Sequence, residues 1–284
     1  FIFERLDIAD REAMAGLIAR HGGIIRVVQL AAQAGVRYSL IDPYAYTRAN
    51  VEGQLVVLEA CRKLEKLDHF VFASSSSVYG GNTKLPFSVN DPVNTPLSLY
   101  AATKRSMELM SHSYAHVYRM PLTGLRFFPV YGPWGRPDMV PFKFVAKLVR
   151  GEPIDVYNHG GMMRDFTYVD DLVEAVRRLI DAPPIRVDRP QDVDANDSLS
   201  PVAPWRIVNI GNSQPVQLGD MIAAIEEALG IKAERNLMPM QPGDVPATWA
   251  DAELSQSLTG YVPRTDILEG VSRFVTWYRD YYRT

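Results

Sequence analysis

Apolar β-type runs alternate with stretches of helical periodicity along this chain. Ile24–Leu30 (IIRVVQL) predicts a strand apolar enough to be buried in a parallel sheet. The spacing in Tyr46–Leu64 predicts a helix, and His69–Ala73 (HFVFA) the next strand. Leu99–Val117 predicts a long helix and Leu122–Phe128 (LTGLRFF) a third strand. This alternation predicts βαβ units and a doubly wound parallel α/β sheet. The opening residues Phe1–Ile8 read as a strand leading into a helix, with no signal-peptide pattern. The chain is therefore expected to start inside a fold.

The pattern changes after about residue 130. Pro133, Pro137, Pro141 and Pro153 punctuate short elements. Asp170–Asp181 predicts a helix, and the Pro-, Asp- and Ser-rich stretch Ala182–Pro204 an exposed excursion. Arg206–Ile210 predicts a strand, and Leu218–Leu229 an amphipathic helix ended by Gly230. Val271–Tyr282 predicts an aromatic-rich closing helix, its stripe Phe274, Trp277, Tyr278 and Tyr281 being core packing. No internal repeat is visible. The expected plan is a sheet-bearing domain over 1–128, to which segments of the C-terminal half could return, and a smaller α/β cap over 129–284.

Composition narrows the function. With 47% apolar and 22% charged residues, the 284-residue chain is an ordinary globular one, neither disordered nor coiled-coil. Its net charge is −3 with no basic block, so no nucleic-acid partner is expected. No apolar run approaches the ~20 residues of a membrane helix, so no membrane partner is expected either. The lone Cys61 cannot form an internal disulfide, which fits a reducing, cytoplasmic setting. The five histidines are too scattered for a zinc site. His112 and His116 share a helix face but lack the Glu of a His-Glu-x-x-His motif, so no metal is expected.

Tyr100 and Lys104 stand four apart on a predicted helix, hence on one face. A neighbouring ammonium stabilises a phenolate, making Tyr100 a candidate general base. Such a pair also arises by chance, so its setting matters. Ser74–Ser77 directly follows the strand His69–Ala73, and ligands of open α/β sheets bind at the carboxyl ends of strands. A serine there can hydrogen-bond a substrate hydroxyl. Asp165, Asp170 and Asp171 form an acidic group, but the last two start a helix, where carboxylates complement the dipole.

These residues are part of a larger pattern. Phe72–Gly80 (FASSSSVYG), Tyr100–Lys104 (YAATK), Leu30–Arg37 (LAAQAGVR), Leu125–Pro133 (LRFFPVYGP) and Arg164–Asp171 (RDFTYVDD) resemble the extended short-chain dehydrogenase/reductase superfamily. Tyr131–Met139 (YGPWGRPDM) and Met238–Asp251 (MPMQPGDVPATWAD) are most similar to its NAD-dependent epimerases of UDP-glucuronate. The resemblance implies a Rossmann-like fold, NAD as cofactor and a UDP-sugar substrate. It makes Tyr100 the base, Lys104 its electrostatic partner at the nicotinamide ribose, and Ser75 the assisting hydroxyl. Asp7 and Ile8 are implied to flank adenine. Leu30, Ala31 and Ala32 line the cofactor diphosphate, with Asn50 supporting that wall and Phe127 near the nicotinamide. Arg164 is implied to pair with the substrate diphosphate and Asp244 to close over uridine. Arg136, with Ser76 as a second donor, is expected to read a carboxylate. A homodimer is implied through the helices Tyr46–Leu64 and Leu99–Val117, whose apolar faces include Leu55, Leu58, Met107 and Met110.

The sequence departs from the family in three places. The Gly-x-x-Gly-x-x-Gly turn is not found in it, which implies a βαβ segment ahead of Phe1. Gln29 stands where relatives often carry His, and Pro129 where they use Asn or Thr. Ser76 and Ser77 replace the carboxylates of related dehydratases and decarboxylases, which favours oxidation and re-reduction at one carbon. A UDP-glucose/galactose epimerase, a UDP-glucuronate decarboxylase and a non-catalytic nucleotide-sugar-binding scaffold are the alternatives. The complete Ser75, Tyr100, Lys104 set favours an enzyme.

Overall fold

The computed structural model describes residues 1–185, 187, 189–240 and 245–284. Its helices are α1 (Arg11–Arg20), α2 (Pro43–Tyr46), α3 (Gly53–Cys61), α4 (Leu99–Tyr118), α5 (Val140–Val149), α6 (Val169–Ile180), α7 (Leu218–Leu229), α8 (Glu253–Thr259) and α9 (Ile267–Tyr282). Its strands are β1 (Arg26–Gln29), β2 (His69–Ser75), β3 (Leu122–Phe127), β4 (Val130–Tyr131), β5 (Ile154–Tyr157), β6 (Met163–Arg164), β7 (Thr167–Tyr168), β8 (Trp205–Ile210), β9 (Val216–Gln217), β10 (Arg235–Met238) and β11 (Ala247–Thr248). The chain folds as two compact units.

The first unit comprises Phe1–Lys84, Ser88–Phe127 and Arg177–Asn209. Its sheet runs in the order β1-β2-β3-β8. β1 and β3 both pair parallel to β2, the latter from Phe70↔Leu122 to Ser75↔Phe127. Every residue of β2 is buried, as its unbroken apolar run requires. Both β2 and β3 therefore deliver their last residues to one edge of the sheet. α4 starts where Ser98 Oγ accepts the Ala101 N–H at 3.1 Å.

Four expectations need correction here. Phe1–Ile8 is not a strand: Phe1, Ile2 and Phe3 are exposed, and no ladder partner is recorded for them among the described residues. The helix expected over Tyr46–Leu64 forms as one continuous helical run with other bounds, residues 43–61, and with a π-helical stretch inside it. Asp42 caps α2 by accepting the Ala45 N–H, and Pro43 opens its first turn. A π-helical segment, Thr47–Glu52, then precedes α3. Leu58 and Met107 are fully buried within this unit and are not spare apolar surface. The excursion Ala182–Pro204 is exposed only in part. Leu199 and Ala203 are buried, and Asp197 pairs through both oxygens with Arg206.

The second unit comprises Leu85–Phe87, Phe128–Val176 and Ile210–Thr284. Short ladders β4-β7, β5-β10 and β11-β6-β9 support α5, α7 and α9. Their core gathers Phe142, Val145, Ile154, Met221, Ile225 and Phe274. α7 ends at Gly230 in the left-handed region, φ +71°, as expected. α9 begins earlier than expected because Asp266 accepts the Leu268 N–H at 2.8 Å. Phe274 and Tyr278 are buried, whereas Tyr281 is half exposed, so the aromatic stripe is core at one end only.

Candidate active site

The site is built on the end of β2. Ser75 keeps extended geometry, and its Oγ accepts the Ser77 N–H at 3.2 Å while donating to Ser77 Oγ at 3.1 Å. That cap stops the strand and starts the short 3₁₀ turn Ser76–Tyr79. The turn closes at Gly80, φ +54°, where a Cβ would lie 2.0 Å from the Thr95 carbonyl oxygen.

α4 meets this strand end through buried polar groups. Lys104 is buried, and its Nζ donates to the Ala73 carbonyl at 2.8 Å. Burial pushes its pKa down to about 8, against the opposing charge of Glu108. Tyr100 lies one turn earlier on the same face and half-buried. Its ring meets Tyr46 edge-on at 6.0 Å, and the Tyr46 hydroxyl is tied to the Ala34 and Gly35 carbonyls. Ser75 and Phe127 are register partners at the same sheet edge.

The residues expected to line the cofactor lie in this unit as well. Leu30, Ala31 and Ala32 follow β1 with partly or fully exposed side chains. Asn50, fully buried in the π-helical segment, accepts the Gln33 N–H at 2.8 Å and donates to the Gln33 carbonyl at 3.0 Å. It also donates to Thr103 at 3.0 Å, tying that wall to α4. Asp7 accepts from Ala9 N–H and Arg48, and Ile8 packs on Gly53. This arrangement fits a dinucleotide's ribose side. One of the three Lys104 N–H donors is spent on Ala73, and the small residues after β1 leave room for a close approach.

Of the residues expected to meet the substrate, Arg136 and Arg164 lie in the second unit, whereas Ser75 and Ser76 lie in the first, Ser76 half-buried in the turn after β2. Arg136 holds Asp138 in a two-pronged pair on an exposed loop. Arg164 donates to the carbonyls of Met163, Val245 and Pro246. Asp244 lies outside the described residues. Asp165 is an internal pin: buried, it accepts the backbone N–H groups of Asn212, Ser213 and Ala250. Burial raises its pKa despite those bonds. Asp171 anchors Tyr261 and Thr265. His112 contacts Ser200 and His116 the Val202 carbonyl, and no metal-binding cluster exists among the described residues. Sequence reasoning missed Glu108, Arg126, Tyr79 and Asn209, which form a buried polar chain behind the strand end. The one available signal was Glu108, which continues the Tyr100–Lys104 spacing by another four residues.

A parallel sheet whose carboxyl edge carries Ser75, with Tyr100 and a buried Lys104 on the facing helix, defines a short-chain dehydrogenase/reductase type of protein. The model of the NAD dependent epimerase/dehydratase family matches residues 2–189, and the chain belongs to that family. A protein named probable UDP-glucuronate 4-epimerase, from Rhizobium meliloti (strain 1021), is 52% identical over 257 residues, covering 90% of this chain and 75% of its own. UDP-glucuronate 4-epimerase 4 of Arabidopsis thaliana is 42% identical over 280 residues, covering 97% and 62%. The crystal structure of UDP-glucuronic acid 4-epimerase from Bacillus cereus, in complex with UDP-glucuronic acid and NAD, superposes with a TM-score of 0.84 at 30% identity. That match covers 99% of this chain and 82% of the Bacillus chain. No helix among the described residues is long and apolar enough to cross a membrane.

Proposed function

We propose that this protein interconverts UDP-glucuronate and UDP-galacturonate by NAD-dependent oxidation and re-reduction at C4. The observation that carries the reading is the buried Lys104, held under the end of β2 one turn from Tyr100. Bound NAD supplies a reversible hydride acceptor, held by Asp7, Ile8, Leu30, Ala31, Ala32, Asn50, Tyr100, Lys104 and Phe127. Tyr100, as phenolate, takes the O4 proton while C4–H is oxidised to the ketone, and returns it when C4 is reduced on the other face. Lys104 stabilises the phenolate, and Ser75 hydrogen-bonds O4. Proton and hydride both return to the sugar, so the reaction has no net redox change.

Substrate choice rests on Arg136 and Arg164. Arg164 takes the diphosphate. Oxidation at C4 makes UDP-glucuronate a β-keto acid, which loses CO2 when its carboxylate stands perpendicular to the ketone plane. A guanidinium fork from Arg136, with Ser76 as second donor, holds the carboxylate out of that alignment. The absence of carboxyl groups at Ser76 and Ser77 supports epimerisation over dehydration.

The enzyme works in the cytoplasm as a homodimer in this reading. Cys61 is buried with its thiol pushed up to about 12, an unreactive state. Leu55 and Leu109 are 37% and 56% exposed on α3 and α4, which supports pairing through those helices. The test is substrate preference of the full-length protein. UDP-glucuronate should exceed UDP-glucose in kcat/KM by about 100-fold, and Arg136→Ala should erase the preference. Equal values in the unmodified protein contradict the assignment.

A further inference from the structure

α4 carries a second enclosed ionic group one turn beyond Lys104. Glu108 is fully buried, and its carboxylate accepts four hydrogen bonds. Oε1 receives Ser74 Oγ at 2.7 Å and Arg126 Nε at 2.9 Å. Oε2 receives Arg126 Nη2 at 3.0 Å and Arg105 Nη1 at 2.8 Å. Ser74 sits between Ala73, whose carbonyl takes Lys104, and Ser75. Two side chains on one helix face thus grip consecutive residues of β2. Apolar residues would fill such a space at least as stably, since desolvating an ion pair offsets its attraction. The pair therefore points to a role beyond cohesion.

We propose that Glu108 is a positioning residue for the reaction: it holds the Ser75 end of β2 against the helix face bearing Tyr100 and Lys104, and places a fixed negative charge one turn from Lys104. This rests on Tyr100 and Lys104 being the proton-handling pair. The charged and titratable groups that face the cluster among the described residues are Arg126 from β3, Arg105 and Lys104 from α4, and Tyr79 from the turn after β2. The Tyr79 ring lies 4.8 Å from the Arg126 guanidinium, and its hydroxyl donates to Asn209 at 2.6 Å. Burial already lowers Lys104, and the Glu108 charge opposes that fall.

The test separates the charge from the grip. In full-length protein labelled with [ζ-¹⁵N]lysine, the Lys104 signal is assigned by its loss in Lys104→Met and titrated by NMR. Glu108→Gln should lower its midpoint by about one pH unit and move the alkaline limb of kcat by a similar amount, with KM within twofold. Ser74→Ala keeps the charge and should leave the midpoint in place while lowering kcat about tenfold. Should Glu108→Gln fail to fold, Ser74→Ala carries the test. An unmoved midpoint in folded Glu108→Gln, or wild-type kcat in Ser74→Ala, overturns the proposal. A midpoint that moves in a protein without epimerase activity upholds the charge coupling and sinks the proposed reaction instead.

Discussion

Ser75 and Phe127 face each other on the last rung of the β2–β3 ladder. The pairing places a hydroxyl and an aromatic ring at the same level of the sheet's carboxyl edge, where ligands of open α/β sheets bind. In the proposed mechanism Ser75→Ala removes a hydrogen bond to O4; it also removes the Oγ contacts with Ser77 and leaves the backbone ladder in place. It should lower kcat by about 10- to 100-fold in steady-state assays with little change in KM. A wild-type kcat would remove Ser75 from the mechanism.

Gly270 lies under the Tyr131 side chain, whose hydroxyl oxygen sits 2.1 Å from where a Cβ would be. Gly270→Ala should cost about 2 kcal/mol in urea unfolding, as overpacking does. Tyr131→Phe removes the clashing atom and should restore part of that loss in the double variant. Strict additivity of the two would contradict the contact.

Asp165 satisfies three backbone N–H groups from two separate segments of the second unit. Asp165→Ala leaves them without an acceptor in a buried setting. The expected loss is about 3 kcal/mol or more by denaturant titration, with Asp165→Asn milder. Fluorescence and circular dichroism should report the same transition.

His69 is buried, with ring nitrogens near the Ile180 carbonyl and Thr123 Oγ1. Burial pushes its pKa down to about 4, below the free-histidine value of 6.5. Between those values the unfolded chain binds a proton that the folded chain does not. Stability should therefore fall as pH drops from about 6.5 to 4, by at most about 3 kcal/mol from this group. His69→Gln should flatten that slope in unfolding experiments across the same range.

Local pattern made part of the molecule legible in the sequence. β2 and α4 declare themselves because a buried strand and a capped amphipathic helix are written in neighbouring residues. Other features depend on partners distant in sequence. The π-helical segment carries Asn50, which reaches Gln33 and Thr103, contacts that no periodicity encodes. Leu58 and Met107 read as spare surface because an apolar helix face looks alike whether it meets its own sheet or another subunit. Glu108 and Arg126 read as ordinary charges until strand and helix bring them together. Tyr100, Lys104 and Ser75 are legible through spacing and family resemblance together, whereas Asp7, Ile8, Leu30 and Arg164 are legible through resemblance alone.

The most direct measurement is ¹H NMR of full-length protein incubated with UDP-glucuronate and NAD in D2O, beside the Tyr100→Phe variant. The account predicts conversion to UDP-galacturonate with protium retained at C4, because the hydride that leaves is the one that returns. Tyr100→Phe should slow this by about 10³-fold or more. Release of a UDP-pentose with CO2, deuterium at C4, or near-normal turnover by Tyr100→Phe would contradict it.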